Sequence, residues 1–240
     1  MQKRRPRADE QDYTLLEQTA MRTAIGDRTR QSMQEKPHFW MSSEMDATAL
    51  SQVRSGLRES GAEVVPSYND YILKAVALAL RETPRFNAWV GEDGLHVLDH
   101  VNVAFAVATD QGVLMPTLMD ADTKAISQIA QETAELIDLA RRGRLRASLQ
   151  MGAGFSVSNI GPSAVDAFNA IISPPQTGIL AVGAIKPRPV VTGEQVVVRK
   201  TMVCTLSIDH AAADGADGAK LLKDIKSRIE SREFLDGLQE

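Results

Sequence analysis

The sequence predicts a two-layer α/β sandwich built on a large mixed β-sheet. Helix-period and strand-period segments are interspersed without strict βα alternation, so the sheet cannot be wholly parallel. Most of the chain after Gly143 reads as strand, and the run Val101–Thr109 (VNVAFAVAT) is almost wholly apolar, as a central strand covered on both faces would be. No repeat of 20–50 residues and no low-complexity tract is present, which excludes solenoids and arrays.

Residues 1–12 are polar and aperiodic, which suits the end of a flexible linker; residues 13–240 carry the periodic segments of one folded domain. From Leu15 to Met33 the spacing is helical, with Leu15, Leu16, Ile25 and Met33 near one face, and Pro37 ends that helix. His38–Met45 reads as a strand and Thr48–Ser60 as a second helix. Ser67 opens a third: its hydroxyl can cap, Asp70 stands three residues on, and apolar residues continue to Leu80 before Pro84. Ala88–Val90 and Leu95–Val97 form a hairpin around Gly91 to Gly94. Val113–Met119 is another strand, and Lys124–Arg142 an amphipathic helix ending near Gly143. Strands then span 154–158, 178–184 and 196–208, and a last helix covers 216–234.

Composition narrows the function classes. A net charge of −4 gives no reason to expect nucleic acid or an anionic membrane as partner. The basic run Lys3-Arg4-Arg5-Pro6-Arg7 reads as a solvated linker end or a docking arm. No stretch approaches the roughly 18 apolar residues of a membrane span, and residues 1–12 lack a signal peptide's apolar core. The chain therefore reads as soluble and intracellular. The single cysteine, Cys204, lies in an apolar run, cannot form an internal disulfide, and reads as a small buried hydrophobe.

Of the four histidines, none lies in an HExxH motif or pairs with a cysteine at metal spacing, and the i,i+4 pair His210 and Asp214 has no evident third ligand, so no metal is expected. His210 differs from the rest. It ends a long strand and enters Asp209-His210-Ala211-Ala212-Ala213-Asp214-Gly215, where small alanines leave space around the imidazole and Gly215 permits a tight turn. Such a motif equally suits a satisfied core histidine. Well before it stands Phe155-Ser156-Val157-Ser158-Asn159-Ile160-Gly161, a strand whose Ser-Asn-x-Gly end is usually only a turn.

Together with the order of other segments, these stretches resemble a known family over nearly the whole chain. Met21-Arg22 and Lys36-Pro37-His38-Phe39, Ser67-Tyr68-Asn69-Asp70, Phe155 to Gly161, Ile171-Ile172-Ser173-Pro174-Pro175-Gln176, and Leu206 to Gly215 are similar to segments of one catalytic domain. That domain is the acyltransferase core of the E2 component of 2-oxo acid dehydrogenase complexes, in the chloramphenicol acetyltransferase-like superfamily. The resemblance implies transfer of an acyl group between dihydrolipoamide and coenzyme A. It implies His210 as general base, Ser158 as donor to the oxyanion, and Asp214 as organiser of the loop. Ser67, Asn159, Gly183 and Ile185 fall where the family contacts coenzyme A, although Ser67 reads equally as a helix cap and Gly183 as a strand glycine.

The resemblance further implies a homotrimer with each site shared between subunits, and the E1 and E3 components as partners. A lipoyl group would be supplied by a domain outside these residues. Trimers would join into a 24-subunit cube if Phe234, Leu235 and Leu238 anchor in a neighbouring trimer. The location would be cytoplasmic in a bacterium and the mitochondrial matrix in a eukaryote. Four departures stand out: Ala211 replaces the usual arginine, Ala212-Ala213 a pair of larger residues, Ala153-Gly154 the usual glycine-threonine, and Pro162 follows the turn. They leave open a weakened E2-like scaffold, and a stand-alone acyltransferase with another acceptor is a further alternative.

Overall fold

The computed structural model describes residues 14–239, so the linker expected over 1–12 lies outside the described residues. A seven-stranded mixed sheet forms the body. Its strands are β1 (His38–Asp46), β4 (Val103–Phe105), β7 (Thr117–Leu118), β8 (Phe155–Asn159), β9 (Gly178–Val182), β10 (Lys186–Thr192) and β11 (Gln195–Asp209). The order is β1-β11-β9-β8-β4-β7, with β10 also paired to β11. β4/β8 and β8/β9 run parallel and the other pairs antiparallel. This is the mixed sheet that the interspersed periods predict.

Alternation along β11 shows how sequence chooses the faces. Met202, Cys204, Leu206 and Ile208 are wholly buried in the main core, whereas Thr201, Thr205, Ser207 and Asp209 take the opposite face. The core face is covered by α2 (Thr48–Glu59), α3 (Tyr68–Glu82), α4 (Ile126–Arg141), α5 (Gly215–Glu230) and α6 (Arg232–Gly237). On the opposite face Ala170, Ile172, Ile179 and Ala181 form a smaller cluster, so the segment after β8 folds back over the sheet. α4 stops where expected: Gly143 adopts φ +67°, a conformation that side chains disfavour.

Several boundaries differ from the sequence reading, each for a local reason. Helix α1 (Ala20–Glu35) begins five residues later than Leu15, because the Thr19 hydroxyl accepts the Arg22 N–H and caps it. Among its residues only Ser32 is buried; Leu15 and Leu16, just before it, are 75% and 80% exposed. The run 101–109 is not one strand. At Ala106 the N–H donates to the Val157 carbonyl, and the chain leaves the sheet so that β5 (Val107–Thr109) pairs with β6 (Gly112–Leu114) in a separate ribbon. Pro116 divides 113–119 likewise into β6 and β7. Strand β10 was not expected; it carries Pro187 and Pro189 and lies beside β11 alone, where prolines are tolerated. The last helix breaks at Ser231, whose hydroxyl caps α6 by accepting the Phe234 N–H. The hairpin of β2 (Ala88–Gly91) and β3 (Gly94–Val97) forms as predicted.

Candidate active site

β11 delivers His210 at its C-terminal end. The turn begins because the Ala212 and Ala213 N–H groups both donate to the Asp209 carbonyl, at 2.9 and 3.2 Å. Asp209 itself is nearly inaccessible: its N–H donates to Thr177 O, Oδ1 accepts from Ala211 N at 3.0 Å, and Oδ2 accepts from Lys36 Nζ at 2.7 Å. The His210 N–H donates to Pro37 O at 3.0 Å, and its ring centroid lies 4.9 Å from that of Phe39. The residue is exposed, so an imidazole with an immobilised backbone faces outward.

Asp214 does not bind the imidazole. Its Oδ1 accepts from Asp217 N at 3.0 Å and Ala216 N at 2.8 Å, making it the N-cap of α5. Those two bonds, that from Asp217 first, hold its carboxyl below the usual carboxylate range, with His210 and Arg85 adding to them. Gly215 is the first helical residue and has no positive φ, so the turn before the helix does not draw on its freedom; the Asp214 cap starts the helix. The loop also has a cation that sequence reading missed. Arg85 donates from Nη1 to the Ala212 carbonyl at 2.8 Å, bringing a guanidinium beside the loop where Ala211 offers none.

Ser158 lies at the other end of the sheet. It is half-buried near the end of β8, on the face opposite the core, and among the described residues its hydroxyl has no hydrogen-bond partner. Beyond it Asn159, Gly183 and Ile185 line one cleft of about 200 Å³ with Tyr68, Gly161, Pro162, Pro187 and Lys200. Asn159 Oδ1 accepts the Gly161 N–H at 2.8 Å, which folds the turn that forms one wall. Gly183 has a reason beyond the strand: a Cβ there would collide with the Asp166 carbonyl. The structure thus brings three of the four residues expected at coenzyme A together.

Ser67, the fourth, stands beside this cleft as the cap of α3. Its Oγ accepts the Asp70 N–H and Asp70 Oδ2 accepts the Ser67 N–H, a complete capping box. Arg54 stacks over the Tyr68 ring at 4.2 Å, and Lys200 Nζ reaches Ser51 Oγ at 2.6 Å. Burial works to raise the Tyr68 phenol, but hydrogen bonds with Ser51 and Arg54 outweigh it and hold the group below its ordinary value. Sequence reading missed these three because nothing in the spacing ties Arg54, Tyr68 and Lys200 to one another; only the packing of α2 and α3 against β11 does.

The two ends do not meet within a chain. Ser158 is level with Ala181 and, across β9, with Thr205, whereas His210 lies five residues further along β11. At about 3.4 Å per residue and 4.8 Å per strand, the two are roughly 20 Å apart. Among the described residues no cluster of three or more His, Cys, Asp or Glu is placed to hold a metal, and no helix is long and apolar enough to cross a membrane.

The model of the 2-oxoacid dehydrogenases acyltransferase (catalytic domain) family matches residues 10–235. The chain belongs to that family. It is 38% identical over 92% of its length to the dihydrolipoyllysine-residue acetyltransferase component of the pyruvate dehydrogenase complex of Rickettsia felis, and spans about half (54%) of that relative. Two solved structures superpose closely at 28% identity, each covering 95% of this chain and 96% of the other. One is Azotobacter vinelandii dihydrolipoamide acetyltransferase, studied for the roles of a serine, a histidine and an asparagine in catalysis, with a TM-score of 0.90. The other is the cubic core of a pyruvate dehydrogenase multienzyme complex, with 0.88. Chloramphenicol acetyltransferase shares the fold, at a TM-score of 0.55 and 16% identity over 85% of this chain and 94% of that one.

This acyltransferase domain uses its C-terminal segment in a way the sequence did not suggest. Leu235 is buried in the chain's own core, Phe234 and Leu238 pack against that core, and Gln239 Nε2 donates to the Tyr71 hydroxyl at 2.9 Å. The anchor expected to seat in another trimer is thus largely folded back on its own protomer.

Proposed function

We propose that this domain transfers an acyl group between dihydrolipoamide and coenzyme A within a 2-oxo acid dehydrogenase complex. The observation that carries the reading is a spacing. In the Azotobacter enzyme the histidine follows the serine by fifty-two positions and precedes the asparagine by four; Ser158, His210 and Asp214 repeat both intervals. Asp214 replaces the asparagine, yet either side chain can cap a helix through its oxygen.

In this reading a ring nitrogen of His210 takes the proton of the attacking thiol, whose unperturbed pKa of about 8.5 leaves it mostly protonated at neutral pH. The thiolate adds to the thioester carbonyl, and the Ser158 hydroxyl donates to the oxyanion that forms. Collapse breaks the original carbon–sulfur bond, and the imidazolium returns its proton to the departing thiolate. The base and the donor come from different copies, because one chain holds them roughly 20 Å apart. A homotrimer is the smallest unit of this reading, and a 24-subunit cube is its larger form. Coenzyme A lies along Asn159, Gly183 and Ile185; at about 200 Å³ the cleft is smaller than ordinary ligand pockets, as one wall of a shared site would be. The lipoyl group arrives on its own domain, E1 and E3 are the further partners, and the setting is the cytoplasm of a bacterium or the mitochondrial matrix of a eukaryote.

Incubation with dihydrolipoamide and acetyl-, succinyl- or branched-chain acyl-CoA tests the proposal. Thioester formation is expected with one of the three. No transfer from any of them, by protein of native oligomeric mass, would sink it.

A further inference from the structure

The ion pair between Lys36 and Asp209 has only 6% and 1% of its side chains exposed, and it stands one residue before the proposed base. A pair buried that deeply adds little net stability over apolar residues of similar size. Its position is therefore the feature to explain. Asp209 uses one oxygen for Lys36 and the other for the N–H of Ala211, so the carboxylate grips the residues on both sides of His210. The neighbouring backbone completes the frame: Pro37 O accepts the His210 N–H at 3.0 Å. Lys36 is fixed in turn, since its N–H donates to Ser32 O, its carbonyl accepts from His38 Nδ1 at 2.8 Å, and Ser32 Oγ donates to Ile172 O at 2.6 Å.

We infer that Lys36 is a positioning residue for His210, acting through Asp209: its ammonium holds the carboxylate that sets the loop, and balances a negative charge that would otherwise face the imidazole. This rests on the reading of His210 as the base. Every element adjoining this loop brings charged or titratable groups. They are Lys36 and His38 from the α1–β1 junction, Arg85 from the short helix before β2, Asp209 and Asp214 from the loop, and Asp217 from α5. Among them only Lys36 both neutralises Asp209 and is itself buried.

Three variants separate positioning from simple support. Lys36→Met keeps the length and removes the charge; Lys36→Arg keeps the charge; Lys36→Met with Asp209→Asn removes both charges and leaves an oxygen for the Ala211 N–H. Lys36→Met is expected to lower kcat about tenfold or more, because small displacements of a reacting group are costly. KM for coenzyme A should stay within about twofold, since neither Lys36 nor Asp209 is among the residues lining the cleft. The unbalanced Asp209 carboxylate favours the imidazolium, so the acid limb of the kcat–pH profile moves to higher pH. Lys36→Arg should keep most of the activity, and the double variant should return the acid limb to its original position.

Titration of the His210 imidazole by NMR, on protein with labelled histidine side chains and assigned with His210→Ala, reads the same coupling without turnover. If the wild type transfers no acyl group, the functional reading fails while this measurement still judges the coupling. A His210 titration unmoved in Lys36→Met, with kcat falling only as the folded fraction falls, would overturn the inference.

Discussion

At the His210 end of the sheet, the proposed base stands on a loop fixed by buried charge and backbone hydrogen bonds. Lys36, Asp209, Thr177 and Pro37 immobilise the chain while the ring stays exposed. At the Ser158 end the ion pairs are partly exposed, as those of Lys186 and Arg188 with Asp166 are, and none holds Ser158 itself. Gly183, in the cleft lining, lets the Asp166 carbonyl pack close behind it, and the Ser158 hydroxyl nearby has no hydrogen-bond partner among the described residues. The contrast follows from what each end must do. A base needs one orientation and an open approach, so rigidity is placed in its backbone and its partners are kept behind it. A donor meant for a transient oxyanion, beside a cleft for a long ligand, needs free hydrogen-bonding capacity and room. In the proposed reading neither end is sufficient alone, and with roughly 20 Å between them a second copy completes the site.

The largest effect that could break this comparison belongs to the base. His210→Ala should lower kcat by about 100-fold or more with the fold intact, since general-base assistance contributes on that scale. Steady-state kinetics with far-UV circular dichroism checks it, and unchanged turnover removes His210 from the chemistry. Mixing that variant with Ser158→Ala subunits should recover part of the activity if the site is shared; recovery absent from verified mixed trimers would place both groups in one chain's site. Ser158→Ala alone should lower kcat by on the order of 100-fold with KM little changed, because the hydroxyl matters most when charge develops on oxygen. A rise in KM at constant kcat would make Ser158 a binding residue.

Smaller effects sharpen the comparison at its edges. Removing residues 234–240 should cost at least about 2 kcal/mol of stability, the scale for one fully buried leucine, because Leu235 fills the protomer's own core. Urea unfolding beside mass measurement distinguishes the cases: a fall from 24 subunits to three without loss of stability would show that the segment anchors between trimers. Ser67→Ala should cost about 1 kcal/mol through loss of the α3 cap. Thermal melts read the cap, and KM for coenzyme A reads any second role; a raised KM with an unchanged melting temperature would make Ser67 a ligand contact first.

The sheet was legible from the sequence because its strands alternate or run apolar, as β11 and β8 do, and because Ser67 with Asp70 spells out a helix start. Breaks within runs were not, because Ala106 and Ser231 turn the chain through hydrogen bonds whose partners are distant or ambiguous in one dimension. β10 was missed as well; it carries two prolines and pairs with β11 alone, an edge position that tolerates them. In the candidate site, His210, Ser158, Asn159, Gly183 and Ile185 were singled out by motif resemblance, and the structure shows where each lies and that the last three line one cleft. Lys36 and Arg85 were not found. Each lies over a hundred residues from its partner, and a lone lysine before a proline, or an arginine after one, carries no signal of burial or contact.

Gly183 limits how this cleft can change. Any side chain there would drive into the Asp166 carbonyl, and Asp166 is in turn clasped by Lys186 and Arg188 at 2.8 and 2.7 Å. The cleft floor and the segment folded behind it thus share one plane of contact, and neither can be remodelled separately. A library randomised at position 183 would yield mostly chains unable to close that segment, so diversity in what the cleft accepts has to be introduced at its rim, around Ile185, Tyr68 and Pro162.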